Sequence, residues 1–520
     1  MTRRRRAGFG RHALRSLLTL VVAFAVGSVV PAFAADDHDR TIQISDDPFT
    51  NAASQHRTEV EPDTFSFGRT VVSAFQVGRI FNGGASDIGF STSFDGGQSW
   101  VRGFLPGVTT SAEQPGTYDR ASDASVAFDL RHGVWVISYL GIRVQPNGRT
   151  FPVDVLTSRS HDGVHWEMPV DVAVLNQFLD KNWTVCDNSV ASPFFGNCYT
   201  EFDNNSQRDL ELMSTSTDGA STWGAAKPTA DGVHGIGGQP LVQPNGRVVV
   251  PFESVGGPPS IKSFTSDDGG ATWNASVVIS TRGSHRVVGG AVRTSALPTA
   301  EIDREGTIYV SWQDSRFETG STNNDIVLST SADGTTWSAV ERIPIDPVGS
   351  NVDHFIPGLG VDPASAGGET RLALTYYFLP QADCAAATCQ LMVGYISSEN
   401  GGRSWSRPKT LAGPMQLDWL AVTNQGVMVA DYVSTSIPAG FGHAVPMFAV
   451  ATAPASPTDF RQAMFTAKVE VQGGGVRMDP EEPVLFAGIG VDGNGEDDTD
   501  EDGGGDGIAA PAVAHAPTRF

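Results

Sequence analysis

The chain has 520 residues with 35 Lys and Arg against 58 Asp and Glu, a formal charge of −23, which argues against a nucleic-acid or anionic-membrane partner. With Gly 58, Pro 31 and only 18% charged residues it is rich in turns, while 40% apolar residues suffice for a large core. Three or four unrelated domains of ~150 residues are not required, because one motif recurs along most of the length.

Residues 1–34 begin with Arg3, Arg4, Arg5, Arg6, Arg11 and Arg15, continue with an apolar run from Leu17 to Val30 and end on Ala32-Phe33-Ala34. This is the pattern of a cleaved secretory signal, by the general or the twin-arginine route. The apolar run is short for a membrane span, so a secreted, extracellular product with no stable membrane insertion is expected.

From residue 93 a turn motif repeats. The first copy is Ser93-x-Asp95-x-Gly97-x-Ser99-Trp100, and later copies centre on Asp162, Asp218, Asp268, Asp333 and Asn400. Their tryptophans, Trp100, Trp166, Trp223, Trp273, Trp337 and Trp405, are six of the ten in the chain. A carboxylate or amide two residues after Ser can accept backbone N–H bonds, and Gly supplies the positive φ. These six residues are therefore expected to be scaffold, since an oxygen used by backbone amides is not free for chemistry. Copies two and five are one residue shorter, and Asn400 keeps the turn without the charge.

Between motifs the chain reads as short strands, such as Gly133–Tyr139, Thr307–Trp312 and Asp325–Thr330. Motif spacings of 50 to 68 residues suit four-stranded blades with long loops. The fold class expected is all-β: a β-propeller of about seven blades over residues 35–470, with six as the alternative. The last blade would use Leu417–Val422, Val427–Val433 and Ala444–Ala451, with Thr41-Ile-Gln-Ile closing the ring.

The four cysteines lie in two close pairs, Cys186 with Cys198 and Cys384 with Cys389, which in an oxidising compartment suggests two local disulfides. Residues 471–520 form an acidic, Gly-rich tail. Within it Asp498, Asp500, Asp502 and Asp506, with Gly503, have the spacing of a calcium loop, although Ala509 stands at the closing position. Solvated disorder is the competing reading. No cofactor is required by any motif, and calcium is the one ion suggested.

The repeated Asp box, the signal segment, and the blocks Tyr309-Val-Ser-Trp312-Gln-Asp314-Ser-Arg316-Phe317 and Asp353-His354-Phe-Ile-Pro357 resemble secreted bacterial proteins of the sialidase superfamily. The resemblance implies an Asp-box propeller engaging an extracellular glycan or glycoprotein, as an exo-acting glycoside hydrolase or as a non-catalytic polysaccharide- or protein-binding propeller. It further implies three arginines on a substrate carboxylate, an acid/base Asp, and a Tyr nucleophile activated by Glu. Where that family has Arg-Ile-Pro, this chain reads Thr58-Glu59-Val60-Glu61-Pro62, and Arg79-Ile80-Phe81 falls on the next strand.

If the chain is a hydrolase as that resemblance implies, the rim opposite the boxes offers Arg293 and Arg316, with Arg79 or Arg120, for a substrate anion. Asp314 or Asp119 is the candidate acid/base, Tyr432 with Glu253 the nucleophile pair, and Asp353 and His354 further substrate contacts. A competing reading gives Glu61, Asp353 and His354 to a cation in the central funnel.

Overall fold

The computed structural model describes residues 41–456, 459–473 and 476–477. The signal segment and the proposed calcium loop at Asp498, Asp500, Asp502 and Asp506 lie outside the described residues.

Regular structure among the described residues is antiparallel β, with only short 3-10 turns such as Asn205–Gln207 and Leu417–Trp419 between strands. Many strands are apolar on both faces. Val134–Val144, for example, is buried over its first nine residues. A strand covered on both sides loses the apolar-polar alternation of a half-exposed one, and here the covering layers are the neighbouring sheets.

The sheets follow one another in chain order. The first is Glu59–Phe67, Thr70–Arg79, Ala85–Ser93 and Val101–Phe104. The second, Arg120–Asp129, Val134–Val144, Thr150–Ser160 and Val170–Ala173, is joined to the first by one strand-pairing position, Ala85 with Ala121. The third is Leu179–Cys186, Cys198–Asn204, Leu210–Ser216 and Lys227–Pro228. In the fourth the innermost strand is broken into Gly235–Ile236 and Leu241–Val242, both on Val248–Ser254, followed by Ser260–Ser266 and Val277–Thr281. The fifth is Thr299–Ile302, Ile308–Asp314, Asp325–Ser331 and Glu341–Arg342. The sixth is Asp353–Val361, Leu372–Leu379, Gln390–Ser398 and Lys409–Gln416. The last sheet is Ser434–Ser436, His443–Ala451 and Gln462–Thr466, completed by Ile42–Gln43 from the other end of the chain. The innermost strand of each sheet touches that of the next, and Ser434–Ser436 returns to Glu59–Phe67. The arrangement is propeller-like.

The last sheet corrects the sequence reading. Leu417–Trp419 is a 3-10 turn, and Ala421–Thr423 with Gly426–Met428 forms a separate hairpin. Only the third expected strand and the closing strand belong to the sheet, and Gln462–Thr466 takes the place that had been given to an earlier segment.

The six turns repeat one hydrogen-bond pattern. In the first, Gly97 N donates to Ser93 Oγ at 2.8 Å, Gln98 N and Ser99 N donate to Asp95 Oδ1 at 2.9 Å, and Ser99 Oγ donates to Asp95 Oδ2 at 2.6 Å. Burial is the largest single influence on Asp95 and raises its carboxyl, but these bonds together outweigh it and hold its pKa at about 2. In the sixth, Asn400 Oδ1 accepts from Ser404 N at 2.9 Å while Asn400 Nδ2 donates to Ser404 Oγ at 2.7 Å. The Ser404 hydroxyl becomes the acceptor, so an amide fills the place of a carboxylate. Trp166, Trp273 and Trp405 are buried between sheets, and Trp100, Trp223 and Trp337 half-buried.

Both cysteine pairs are disulfides. Cys186 and Cys198 lie directly opposite each other on paired strands of the third sheet, and Cys384 with Cys389 closes a loop in the sixth. No helix among the described residues is long and apolar enough to cross a membrane.

Candidate functional site

Four of the innermost strands share a local irregularity. Register slips by one residue between Val60 and Asp63, Ser122 and Ser125, Asp180 and Trp183, and Phe355 and Gly358. A left-handed residue sits in each bulge: Glu61 (φ 56°), Asp123 (φ 48°), Lys181 (φ 45°) and Ile356 (φ 50°). A bulge re-aims side chains, and a non-Gly residue at positive φ costs about 1–3 kcal/mol, a strain that gathers at functional positions.

Three of these residues meet. Lys181 Nζ is 3.5 Å from both Glu61 Oε1 and Asp123 Oδ1 and pairs with Asp431, whose other oxygen accepts from Arg293 Nε at 2.7 Å. The group is closed to water, with Lys181 3% exposed. Burial pushes the Glu61 carboxyl well above its ordinary range despite the attraction of Lys181. At Asp431 the same penalty is overcome by Arg293 and Lys181, and its pKa is lowered. At Lys181 burial is outweighed by Asp123, Asp431 and Glu61, so the ammonium persists.

Arg293 also lines a cavity of about 320 Å³, together with Glu253, Arg282, His285, Arg286, Gln313, Asn324, Asn424 and Gln425. Arg282 pairs with Glu253. Arg286 is exposed and has no ion pair among the described residues. His285 Nε2 lies 3.4 Å from Asp353 Oδ2. Its interaction with that carboxylate, helped by the Ser321 carbonyl, outweighs burial and raises its pKa. Asp353 is itself fixed by Asn324, whose N and Nδ2 both donate to Oδ1 at 2.9 Å. The cavity thus has three guanidiniums and an imidazole biased toward its cation, against one lining carboxylate. Such a lining would suit an anion.

The residues singled out from the sequence divide into separate groups. Arg293 and Glu253 line this cavity, and Asp353 stands behind His285. Asp314 and Arg316 form a local pair at 2.6 Å, with Asp314 Oδ1 accepting from Gly283 N at 2.9 Å, so they brace the wall of the cavity. Arg79 Nη1 donates to the Gly84 carbonyl at 3.0 Å and Arg120 Nη1 to the Gly83 carbonyl at 2.8 Å, which places both on the turn at Gly83–Gly84. Burial and the neighbouring Arg79 lower Arg120 to about 10. Asp119 accepts from Val144 N at 2.7 Å. Tyr432 is 7% exposed, stacks edge-on against Trp183 at 5.1 Å and donates to the Ala124 carbonyl at 3.2 Å. Burial, reinforced by Glu61 and Asp123, raises the Tyr432 pKa well above its ordinary value. His354 lies buried against Tyr376 and Phe378.

No protein-family model and no curated protein matches the chain. Among solved structures it is similar to an ulvan lyase described as a new polysaccharide lyase family, PL25. That pair has a TM-score of 0.50 and 11% identity, covering 84% of this chain and 97% of that one. The NanB sialidase from Streptococcus pneumoniae gives a TM-score of 0.38 at 14% identity, covering 83% of this chain and 70% of that one. A Hadza microbial sialidase gives 0.41 at 12% identity over 84% of this chain and 94% of that one. The likeness to the lyase is one of fold.

Sequence reasoning missed Arg282, His285, Arg286 and Asp123. The first three form a basic stretch, Arg282-Gly-Ser-His285-Arg286, in an otherwise acidic chain, and that local charge reversal was the available signal. Also missed was a buried acidic row, in which Asp180 faces Asp203 and Asp203 faces Glu211 across neighbouring strands. Burial pushes Glu211 up to about 7 and Asp203 well above the carboxylate range.

Proposed function

We propose that the chain is a secreted, seven-bladed Asp-box propeller that engages extracellular acidic glycans through the cavity at Arg282, His285, Arg286 and Arg293. The observation that supports this most is the set of cationic groups around one cavity, with Arg286 exposed and carrying no ion pair among the described residues. A guanidinium meets a sugar carboxylate or sulfate through two parallel N–H···O bonds. Arg286 would make the first contact, Arg282 would exchange part of its bond to Glu253 for the substrate, and Arg293, held by Asp431, would form the floor. His285, biased toward its cation by Asp353, adds positive character and an N–H edge. The lyase of similar fold is described as a polysaccharide lyase acting on ulvan, and an acidic glycan is the ligand class we infer here.

A binding role is favoured over sialidase-type hydrolysis by one specific observation. The Tyr432 hydroxyl is buried on the Ala124 carbonyl, while Glu253 is paired with Arg282. The Tyr–Glu nucleophile pair that the sialidase resemblance implies would need both to leave these partners. The test is turnover of a fluorogenic sialoside and release of unsaturated uronate from acidic polysaccharides, run beside direct binding of the same ligands. Binding without turnover, lost in Arg286→Ala, supports this reading. Sialoside turnover that disappears in Tyr432→Phe would replace it with the hydrolase.

A further inference from the structure

A different group of side chains lies where the fifth sheet meets the sixth. Asp325 opens the third strand of the fifth sheet, Asp346 stands in the loop that leaves that sheet, and His354 is the second residue of the first strand of the sixth. One ligand atom from each lies within 4.8 Å of the other two. Asp325 and His354 are each 2% exposed and Asp346 is half-buried.

The hydrogen bonds of the group are incomplete. Arg342 Nη2 is 2.7 Å from Asp325 Oδ1 and 2.5 Å from Asp346 Oδ1, and Ser350 donates to Asp346 Oδ2. Glu318, also buried, accepts from Gly349 N at 3.1 Å and lies against Asp325. Asp325 Oδ2 and His354 Nδ1 remain buried with no hydrogen-bond partner. An unpaired buried acceptor is costly, so two in one group call for a ligand. The charges point the same way: three carboxylates face a single guanidinium. His354 offers an imidazole nitrogen to the group. The ring is held against Tyr376 and Phe378, at 5.5 and 6.1 Å between centroids.

We propose that Asp325, Asp346 and His354 bind a divalent cation of the zinc class that clamps the fifth sheet to the sixth. An imidazole nitrogen with two carboxylates suits zinc or a similar first-row ion, whereas calcium takes oxygen ligands. The ion would neutralise the charge that Arg342 leaves uncompensated and use both unpaired atoms. It would also fix the start of the strand whose first residue, Asp353, holds His285. This site is separate from the glycan cavity and from the acidic tail, and it stands whether or not the chain binds glycans.

The test is calorimetric titration of zinc chloride into the full secreted chain after chelator treatment and dialysis, paired with melting curves. The wild type is expected to bind one zinc at this site and to melt at higher temperature with it. Asp346→Asn, on the half-exposed side and still able to accept from Ser350, is expected to bind at least about tenfold more weakly with unchanged circular dichroism. His354→Gln is expected to lose the zinc-dependent rise in melting temperature. No zinc uptake by the wild type would overturn the proposal. So would zinc binding that a folded Asp346→Asn retains at wild-type affinity, since the ion would then lie elsewhere, as in the tail.

Discussion

Asp95 and Asp431 are both aspartates surrounded by donors, and both have lowered pKa values. At Asp95, in an exposed turn, the donors are two backbone amides and two hydroxyls, all within four residues. At Asp431, on the buried axis, they are Lys181 and Arg293, brought from 250 and 138 residues away. The first set is neutral and local, so water can replace it when the aspartate goes. The second is charged and closed to water, so removing one partner strands the others. The turns are therefore replaceable scaffold, and the axis is a charge-balanced frame for the cavity above it.

The strongest way to break this contrast is Asp431→Ala, which leaves Lys181 and Arg293 without their shared carboxylate. It is expected to cost about 3–5 kcal/mol in urea unfolding. A loss as small as that of a turn mutant would mean water reaches the axis.

The second test uses pH. Glu59 is buried, accepts from Ser45 and from Met464 N, and is pushed by burial from 4.5 up to about 8. The folded protein binds that proton more tightly than the unfolded chain, so stability falls as pH rises from about 4.5 to about 8. Asp95 acts in the opposite sense: its stabilisation is complete above 3.8 and is lost as pH falls toward about 2. For these groups stability is greatest near pH 4, and Glu59→Gln is expected to make the alkaline limb of the melting-temperature profile shallower, the other buried carboxyls such as Glu211 keeping the rest of it, while leaving the acid limb unchanged.

Smaller effects belong to the turns. Asp95→Ala removes bonds like those of a helix cap and is expected to cost about 1 kcal/mol. Asn400→Asp, which restores the residue of the other copies, is expected to shift stability by less than about 0.5 kcal/mol, because the Ser404 hydroxyl can turn from acceptor to donor. Both are read from urea midpoints.

How much of this was legible in the sequence depended on distance along the chain. The turns were, because Ser93, Asp95 and Gly97 make their bonds among neighbours. The closing strand at Ile42–Gln43 was too, since the repeat arithmetic left one place in the ring. Gln462–Thr466 was not, because it precedes no Asp box. The axis was half visible: Arg293 was expected on the rim and Glu61 in the central funnel. The pairing there depends on bulges at Glu61, Asp123 and Lys181 that no local pattern announces. Arg282, His285 and Arg286 escaped because their loop has no strand period, and Tyr432 drew attention by residue type, which does not report where its hydroxyl points.

The central claim is that the cavity at Arg282, His285, Arg286 and Arg293 recognises an anionic saccharide. The most direct measurement is the affinity of the secreted chain, and of Arg286→Ala, for a uronate- or sulfate-bearing oligosaccharide and for a neutral one of equal length. The account predicts binding of the acidic sugar alone, weakened about tenfold or more by Arg286→Ala, as expected for loss of a charged hydrogen bond worth about 1.5–3 kcal/mol. Equal affinity for the neutral sugar, or an acidic-sugar affinity indifferent to Arg286→Ala, would contradict it.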